Sequence, residues 1–72
     1  MREVVEYLIK NLVDHPESVR VREKRGRGVL VYVVEVEDAD RGRVIGRKGR
    51  VIEALRTLTR AYARGRVTVE VR

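Results

Sequence analysis

The 72 residues of this chain suffice for one small domain, residues 1–72, and leave no room for a deep catalytic cavity. With 43% hydrophobic and 39% charged residues, the chain is expected to be globular, and the absence of cysteine excludes disulfides and thiolate chemistry. The net charge of +6 favours a polyanionic partner, with nucleic acid ahead of an anionic membrane.

The chain begins with the pattern of an amphipathic helix. Six apolar residues recur at helical spacing: Val4, Val5, Leu8, Ile9, Leu12 and Val13. Pro16 ends this helix, because proline cannot continue a helix and restricts the residue before it. Glu3 and Glu6 interrupt the apolar pattern and argue against a signal peptide, and no apolar run approaches the roughly 20 residues that span a bilayer. We therefore expect a cytoplasmic protein that makes no membrane contact.

Two antiparallel strands joined by a glycine turn are predicted next. Residues 18–24 alternate, with Val19, Val21 and Glu23 on one face, which is typical of a half-buried strand. Residues 25–28 supply the turn, since glycine tolerates positive φ. Residues 29–37 are apolar on both faces over their first half and predict a central strand.

The second half of the chain predicts two helices and a third strand. Asp38 and Asp40 offer N-caps for a short helix that ends near residue 45, and a long helix is predicted over residues 50–63. The predicted buried stripe of the long helix consists of Val51, Ile52, Leu55, Leu58 and Tyr62. Its predicted water-facing residues are Arg50, Glu53, Arg56, Thr57, Arg60 and Arg64. Gly65 is placed as the C-terminal cap, and residues 66–72 alternate as the third strand.

Positive charge is concentrated in this second half. Residues 1–40 carry a net charge of −2 and residues 41–72 a net charge of +8. Residues 41–50 contain five basic side chains and no acidic one. Such a local field attracts polyanions, although a solvated charged face is the alternative interpretation.

The most informative segment is the predicted loop between the two helices. Gly46 and Gly49 let the backbone approach a ligand closely, and the N-terminus of the following helix presents unpaired N–H groups and a positive dipole end. Arg47 and Lys48 would reach phosphates from this loop. The glycine spacing matches neither a P-loop nor a dinucleotide fingerprint. A tight corner between two helices, with no ligand, is the alternative.

The segment Val-Ile-Gly-Arg-Lys-Gly-Arg-Val-Ile-Glu-Ala-Leu-Arg-Thr-Leu, residues 44–58, resembles the signature of KH domains, whose GxxG loop clamps about four nucleotides. The element order α-β-β-α-α-β resembles the type II KH fold. That resemblance implies an α+β fold in which helices pack on one face of a three-stranded mixed sheet. Leu-Val-Asp-His-Pro-Glu, residues 12–17, is similar to the start of the small bacterial stand-alone KH RNA-binding proteins.

The resemblance implies a binding function without enzymatic activity or a cofactor. The expected ligand is short single-stranded RNA, and the expected role is that of an RNA chaperone or post-transcriptional regulator. Single-stranded DNA is not excluded, because only contacts to the 2′-OH would discriminate. The family also implies a homodimer or pairing with a larger KH-containing protein. The alternative is a protein-interaction module with a vestigial loop, for which Val29, Val31 and Val33 would supply an apolar sheet face.

The resemblance places the RNA clamp on Gly46, Arg47, Lys48 and Gly49. The neighbouring residues that complete the predicted RNA-binding set are Arg41, Arg43, Val44, Ile45 and Arg50, with Val44 and Ile45 as an apolar floor for the bases.

Three other residues invite a functional interpretation and are assigned a structural one. His15, the single histidine, is predicted to have a capping or solvent role in a turn. Tyr62 is predicted to lie in the core and Tyr32 in the core or at its rim. No Ser/His/Asp set, paired carboxylates or metal-binding cluster is recognisable in the sequence.

Overall fold

A computed structural model describes residues 1–63 and 65–72 of the chain. Its three α-helices are α1 (Arg2–Lys10), α2 (Arg41–Ile45) and α3 (Arg50–Tyr62). Its three strands are β1 (Arg20–Gly26), β2 (Val29–Glu35) and β3 (Arg66–Val71). Single turns of 3₁₀ helix lie at Pro16–Ser18, Asp38–Asp40 and Arg47–Gly49. The predicted water-facing position of Arg64 lies outside the described residues.

The strands form one mixed sheet in the order β1-β2-β3. β1 and β2 are antiparallel, and Arg27 and Gly28 close the turn between them with φ angles of 52° and 76°. β3 is parallel to β2, because α2 and α3 carry the chain back across one face of the sheet before β3 begins. The predicted α+β fold with a central second strand is confirmed.

The hydrophobic core lies between this sheet and the helices. Register places Val21, Val34 and Val71 in one row on the core face, and Tyr32 beside Val69 in another. The buried core residues are Val5, Ile9, Val19, Val21, Tyr32, Val34, Val44, Ile52, Leu55, Val67 and Val69. Tyr32 therefore belongs to the core, as the sequence predicts.

α1 and β2 end earlier than predicted, and β1 begins later than predicted. α1 ends at Lys10, and the Asn11 side chain donates a hydrogen bond to the backbone oxygen of Tyr7 at 2.8 Å, which satisfies one terminal carbonyl. The 3₁₀ turn at Pro16–Ser18 delays the start of β1 to Arg20. β2 ends at Glu35, two residues before the predicted boundary.

The predicted buried stripe of α3 is wrong at Leu58 and Tyr62, whose side chains are 47% and 76% exposed. Thr59 is buried in their place, and its hydroxyl donates to the backbone oxygens of Leu55 and Arg56 at 3.0 and 2.9 Å. The line through Ile52, Leu55 and Thr59 faces the sheet. Leu58 and Tyr62 instead face α1, and they line an apolar groove between the two helices.

The sheet face opposite the helices carries charged side chains beside the three valines that were proposed as an apolar face. Val33 is only 4% exposed, although it does not belong to the hydrophobic core cluster. Arg22, Lys24 and Arg72 surround it instead. Of the three valines proposed as an apolar face, Val33 is therefore buried among charged residues, whereas Val29 and Val31 are half-buried.

Within residues 1–63 and 65–72, no helix combines the length and the apolar character needed to cross a membrane.

Candidate nucleic-acid interface

The loop Gly46–Gly49 joins the last turn of α2 to the first turn of α3. α2 ends at Ile45, and the backbone N–H of Gly46 donates to Gly42 at 2.9 Å. The N–H of Gly49 then donates to Gly46 at 3.1 Å, which closes a single 3₁₀ turn. The loop is thus a short, internally hydrogen-bonded corner and not a long flexible connection.

Glycine is required at position 46 both by the backbone conformation and by the lack of space for a Cβ atom. Its φ is 78°, and a Cβ built on it would lie 2.5 Å from Val51 Cγ2 and 2.8 Å from the backbone nitrogen of Val51. Gly49 has φ of 73°, but a Cβ there would meet Ile52 at an ordinary 3.8 Å. Any side chain at position 46 would push the loop away from α3. The geometry of this corner therefore depends more on glycine at position 46 than on glycine at position 49.

Lys48 lies at the tip of the loop in the left-handed region, with φ of 58° and ψ of 27°. This conformation is uncommon for a residue with a side chain. Arg47 and Lys48 are both exposed. In the described part of the chain, neither forms an ion pair with a carboxylate. Their two charges therefore remain available to an anionic ligand.

The N-terminus of α3 adds a second source of positive potential. Gly49 is the N-cap residue and supplies no side-chain hydrogen bond to the first turn. The Arg50 N–H donates to the backbone oxygen of Arg47, and the positive dipole end of this 13-residue helix points toward the loop. Arg50 is exposed at the start of the helix. This combination is suited to the phosphates of a nucleic acid backbone.

The other predicted site residues occupy more varied environments. Arg41 and Arg43 are exposed on α2, but Arg41 pairs with Asp38 and Arg43 with Asp14, each at 3.0 Å. Part of their charge is therefore already balanced. Ile45 is 37% exposed beside the loop, whereas Val44 is completely buried in the core. Of the predicted apolar floor, only Ile45 remains accessible to a ligand.

Asp40 is the residue whose role the sequence did not reveal. Asp40 is the N-cap residue of α2, as predicted, but its side chain is only 1% exposed and makes no capping hydrogen bond to that helix. The backbone N–H groups of Asp14 and His15 donate to its two oxygens at 3.1 and 3.0 Å. His15 is the N-cap residue of the 3₁₀ turn at Pro16–Ser18, and its partly exposed side chain also has a specific partner, since its Nδ1 lies 3.0 Å from Asp40 Oδ2.

Asp40 and His15 shift each other's pKa. The hydrogen bond to Asp40 raises the pKa of His15 above its ordinary value, against the opposing effect of burial. Burial raises the pKa of Asp40, but the hydrogen bonds from Asp14 and His15 outweigh it and lower that pKa overall. Both directions favour the ionised pair. The pair ties the connection after α1 to the start of α2, and thereby fixes the helix that carries the GxxG loop.

Comparison with known proteins identifies the family to which this fold and loop belong. The profile described as "KhpA/KhpB, KH domain" matches residues 2–72. The chain belongs to the KhpA/KhpB KH-domain family. The resemblance seen in residues 12–17 and 44–58 is thereby confirmed.

Individual relatives agree with this family assignment. A protein of Chlamydia pneumoniae named RNA-binding protein KhpA is 48% identical over 58 residues, which cover 81% of this chain and 74% of the relative. Proteins of the same name from Leifsonia xyli and Caldanaerobacter subterraneus are 50% and 40% identical. The first of these alignments covers 90% of this chain and 87% of the relative, and the second 99% of both. No solved structure matches the chain significantly.

Proposed function

We propose that this protein binds short single-stranded RNA through the loop Gly46–Gly49. The observation that carries the proposal is the pair Arg47 and Lys48, exposed on a loop that closes against the N-terminus of α3. Membership of the KhpA/KhpB family and the names of the relatives support RNA as the ligand.

The proposed contacts follow from the geometry. Gly46 and Gly49 present backbone without Cβ atoms, so that a phosphodiester can approach closely. Arg47, Lys48 and Arg50 contact the phosphates of about four nucleotides. Ile45 supplies apolar contact for an unstacked base. In the cell we propose a cytoplasmic RNA chaperone or post-transcriptional regulator that requires no cofactor.

The salt dependence of binding to a short RNA tests this mode. If roughly three phosphates are neutralised, log affinity should fall with log salt at a slope of about −2 for a single strand. A duplex RNA of equal length should bind more weakly, because its bases are stacked and cannot contact Ile45. Fluorescence anisotropy over a salt series measures both quantities. Preference for the duplex would indicate simple charge attraction and contradict a KH groove.

We further propose that two copies assemble through the apolar groove between α1 and α3. This groove has a volume of about 250 Å³, and the exposed apolar side chains around it are Met1, Val4, Leu58 and Tyr62. A twofold dimer covers the same patch on both copies at once. A dimer also joins two short RNA sites, which raises avidity by roughly 10²-fold or more when both can bind.

Sedimentation equilibrium tests the dimer. The protein should be dimeric at micromolar concentration, and Leu58→Glu should make it monomeric, because a carboxylate would lie in the contact. Thr57→Glu, at an exposed neighbouring position of α3, is the matched control and should remain dimeric. A wild-type monomer throughout a concentration series into the high micromolar range would contradict self-association. Pairing with a larger KH-containing protein would then be the route to a second site.

A further inference from the structure

We infer that the sheet face opposite the helices is a second binding surface, which takes the phosphodiester backbone of the RNA strand as it leaves the loop. This inference rests on the proposed loop site but concerns different residues. One domain would then contact more nucleotides than the loop alone can hold.

Charge complementarity is the first argument. The basic side chains on this face are Arg20, Arg22 and Lys24 of β1, and Arg66 and Arg72 at the two ends of β3. The acidic side chains on it are Glu35 and Glu70. Arg22 pairs with Glu35 at 3.1 Å. The other four basic residues make no ion pair in the described part of the chain.

A cavity in the centre of this face is the second argument. It has a volume of about 300 Å³ and is lined by Arg22, Glu23, Lys24, Val33 and Arg72. Three cationic residues, of which Arg22 is paired with Glu35, and the acidic Glu23 thus surround the buried Val33. Such a site accommodates a phosphate among its cationic side chains.

The spacing along β1 fits an extended strand. Arg20, Arg22 and Lys24 are alternate residues, so their Cα atoms are about 7 Å apart along the strand. They point to the same face and form a row of positive charges. An extended single strand laid along this row can offer successive phosphates to successive side chains. Salt-dependent contacts of this kind add affinity without reading sequence.

The sheet face comes nearest to the loop at Arg72. α3 runs antiparallel to β3, and Arg56 Nε donates to the backbone oxygen of Val69 at 3.1 Å where they meet. From Arg56 back to Arg50 the helix covers about 9 Å, and from Val69 on to Arg72 the strand covers about 10 Å. Arg72 therefore lies near the level of the loop, and a strand leaving the loop can pass around the β3 edge to the cavity.

Paired neutralisation tests this surface. The variant Lys24→Gln/Arg72→Gln removes two charges from the cavity, and Lys10→Gln/Arg60→Gln removes two from the helical side. Each is titrated with single strands of about four and about twelve nucleotides. The cavity variant should bind the longer strand roughly tenfold more weakly and with a salt slope shallower by about 1.4, with little change for the short strand.

The control variant should retain most of its affinity for both lengths. Equal losses in the two variants would show a general charge effect and overturn the proposal. Unchanged affinity together with increased self-association of the cavity variant would also overturn it, because these charges would then only protect the sheet edges from pairing. Failure of the loop site has a separate signature, since Arg47→Asp/Lys48→Asp would then bind the short strand as tightly as the wild type does.

Discussion

Replacing Arg47 and Lys48 together by Asp should nearly abolish binding of short single-stranded RNA. The change reverses the two charges that the loop presents to phosphates beside the N-terminus of α3. Both side chains are exposed and unpaired within the described residues, so each substitution should change the free energy of unfolding by about 0.5 kcal/mol or less. Binding by fluorescence anisotropy and unfolding by thermal melt should be measured on the same preparation.

The turn between β1 and β2 offers a matched control for this variant. Arg25 and Arg27 are also an exposed basic pair next to glycines, and Arg27 has a positive φ of 52°, close to that of Lys48. Arg25→Asp/Arg27→Asp makes the same change in net charge at a distance from the loop. It should weaken binding only modestly. Equal loss in both variants, or full affinity in a folded loop variant, would contradict the clamp.

Replacing Asp40 by Ala should lower the thermal unfolding midpoint by roughly 10 °C or more. The substitution removes the acceptor for the backbone N–H groups of Asp14 and His15 and the partner of the His15 ring. A buried N–H group without an acceptor lowers the free energy of unfolding, because folding has removed that group from water. The start of α2 would also lose its tie to the connection after α1.

The neighbouring Asp38→Ala is the control for this substitution, because Asp38 is exposed and its ion pair with Arg41 lies at the surface. It should change the midpoint by no more than a few degrees. Asp40→Asn retains one acceptor oxygen and should fall between the two. Similar midpoints for Asp40→Ala and Asp38→Ala would contradict a structural role for the Asp40 contacts.

The stability that Asp40 contributes should also depend on pH. Its pKa is lowered, so its contribution is present above the ordinary value and is lost as pH falls through the lowered pKa. The pKa of His15 is raised, so its contribution is present below the ordinary value and is lost as pH rises through the raised pKa. The wild-type advantage over Asp40→Ala should be greatest between about pH 4 and 6.5.

The sequence predicts the elements of this fold and the location of the loop because both depend on local patterns. Period-two alternation identifies β1 and β3, and the paired glycines of residues 46–49 mark the corner between α2 and α3. The contacts of Asp40 escape such reasoning, since His15 lies 25 residues away along the chain. No short-range pattern links an aspartate before one helix to the amides that follow another.

The errors on α3 have a related cause. Helical periodicity predicts one apolar stripe, and Leu58 and Tyr62 satisfy that pattern as well as Leu55 does. Which part of the stripe is buried depends on what packs against it. The sheet covers Ile52, Leu55 and Thr59, whereas the short α1 leaves Leu58 and Tyr62 exposed. Val33 shows the opposite error, because a residue expected at the surface is buried. Long basic side chains nearby cover it, although no helix packs on that face.

A titration of ¹⁵N-labelled protein with a single-stranded RNA of about four nucleotides tests the central claim most directly. An RNA this short can occupy the loop but cannot reach the outer sheet face at the same time. The account predicts that the largest amide shift changes occur at residues 46–49 and in the first turn of α3, with smaller changes at Ile45. Shift changes confined to the sheet face or to the α1–α3 groove, with the loop amides unmoved, would contradict it.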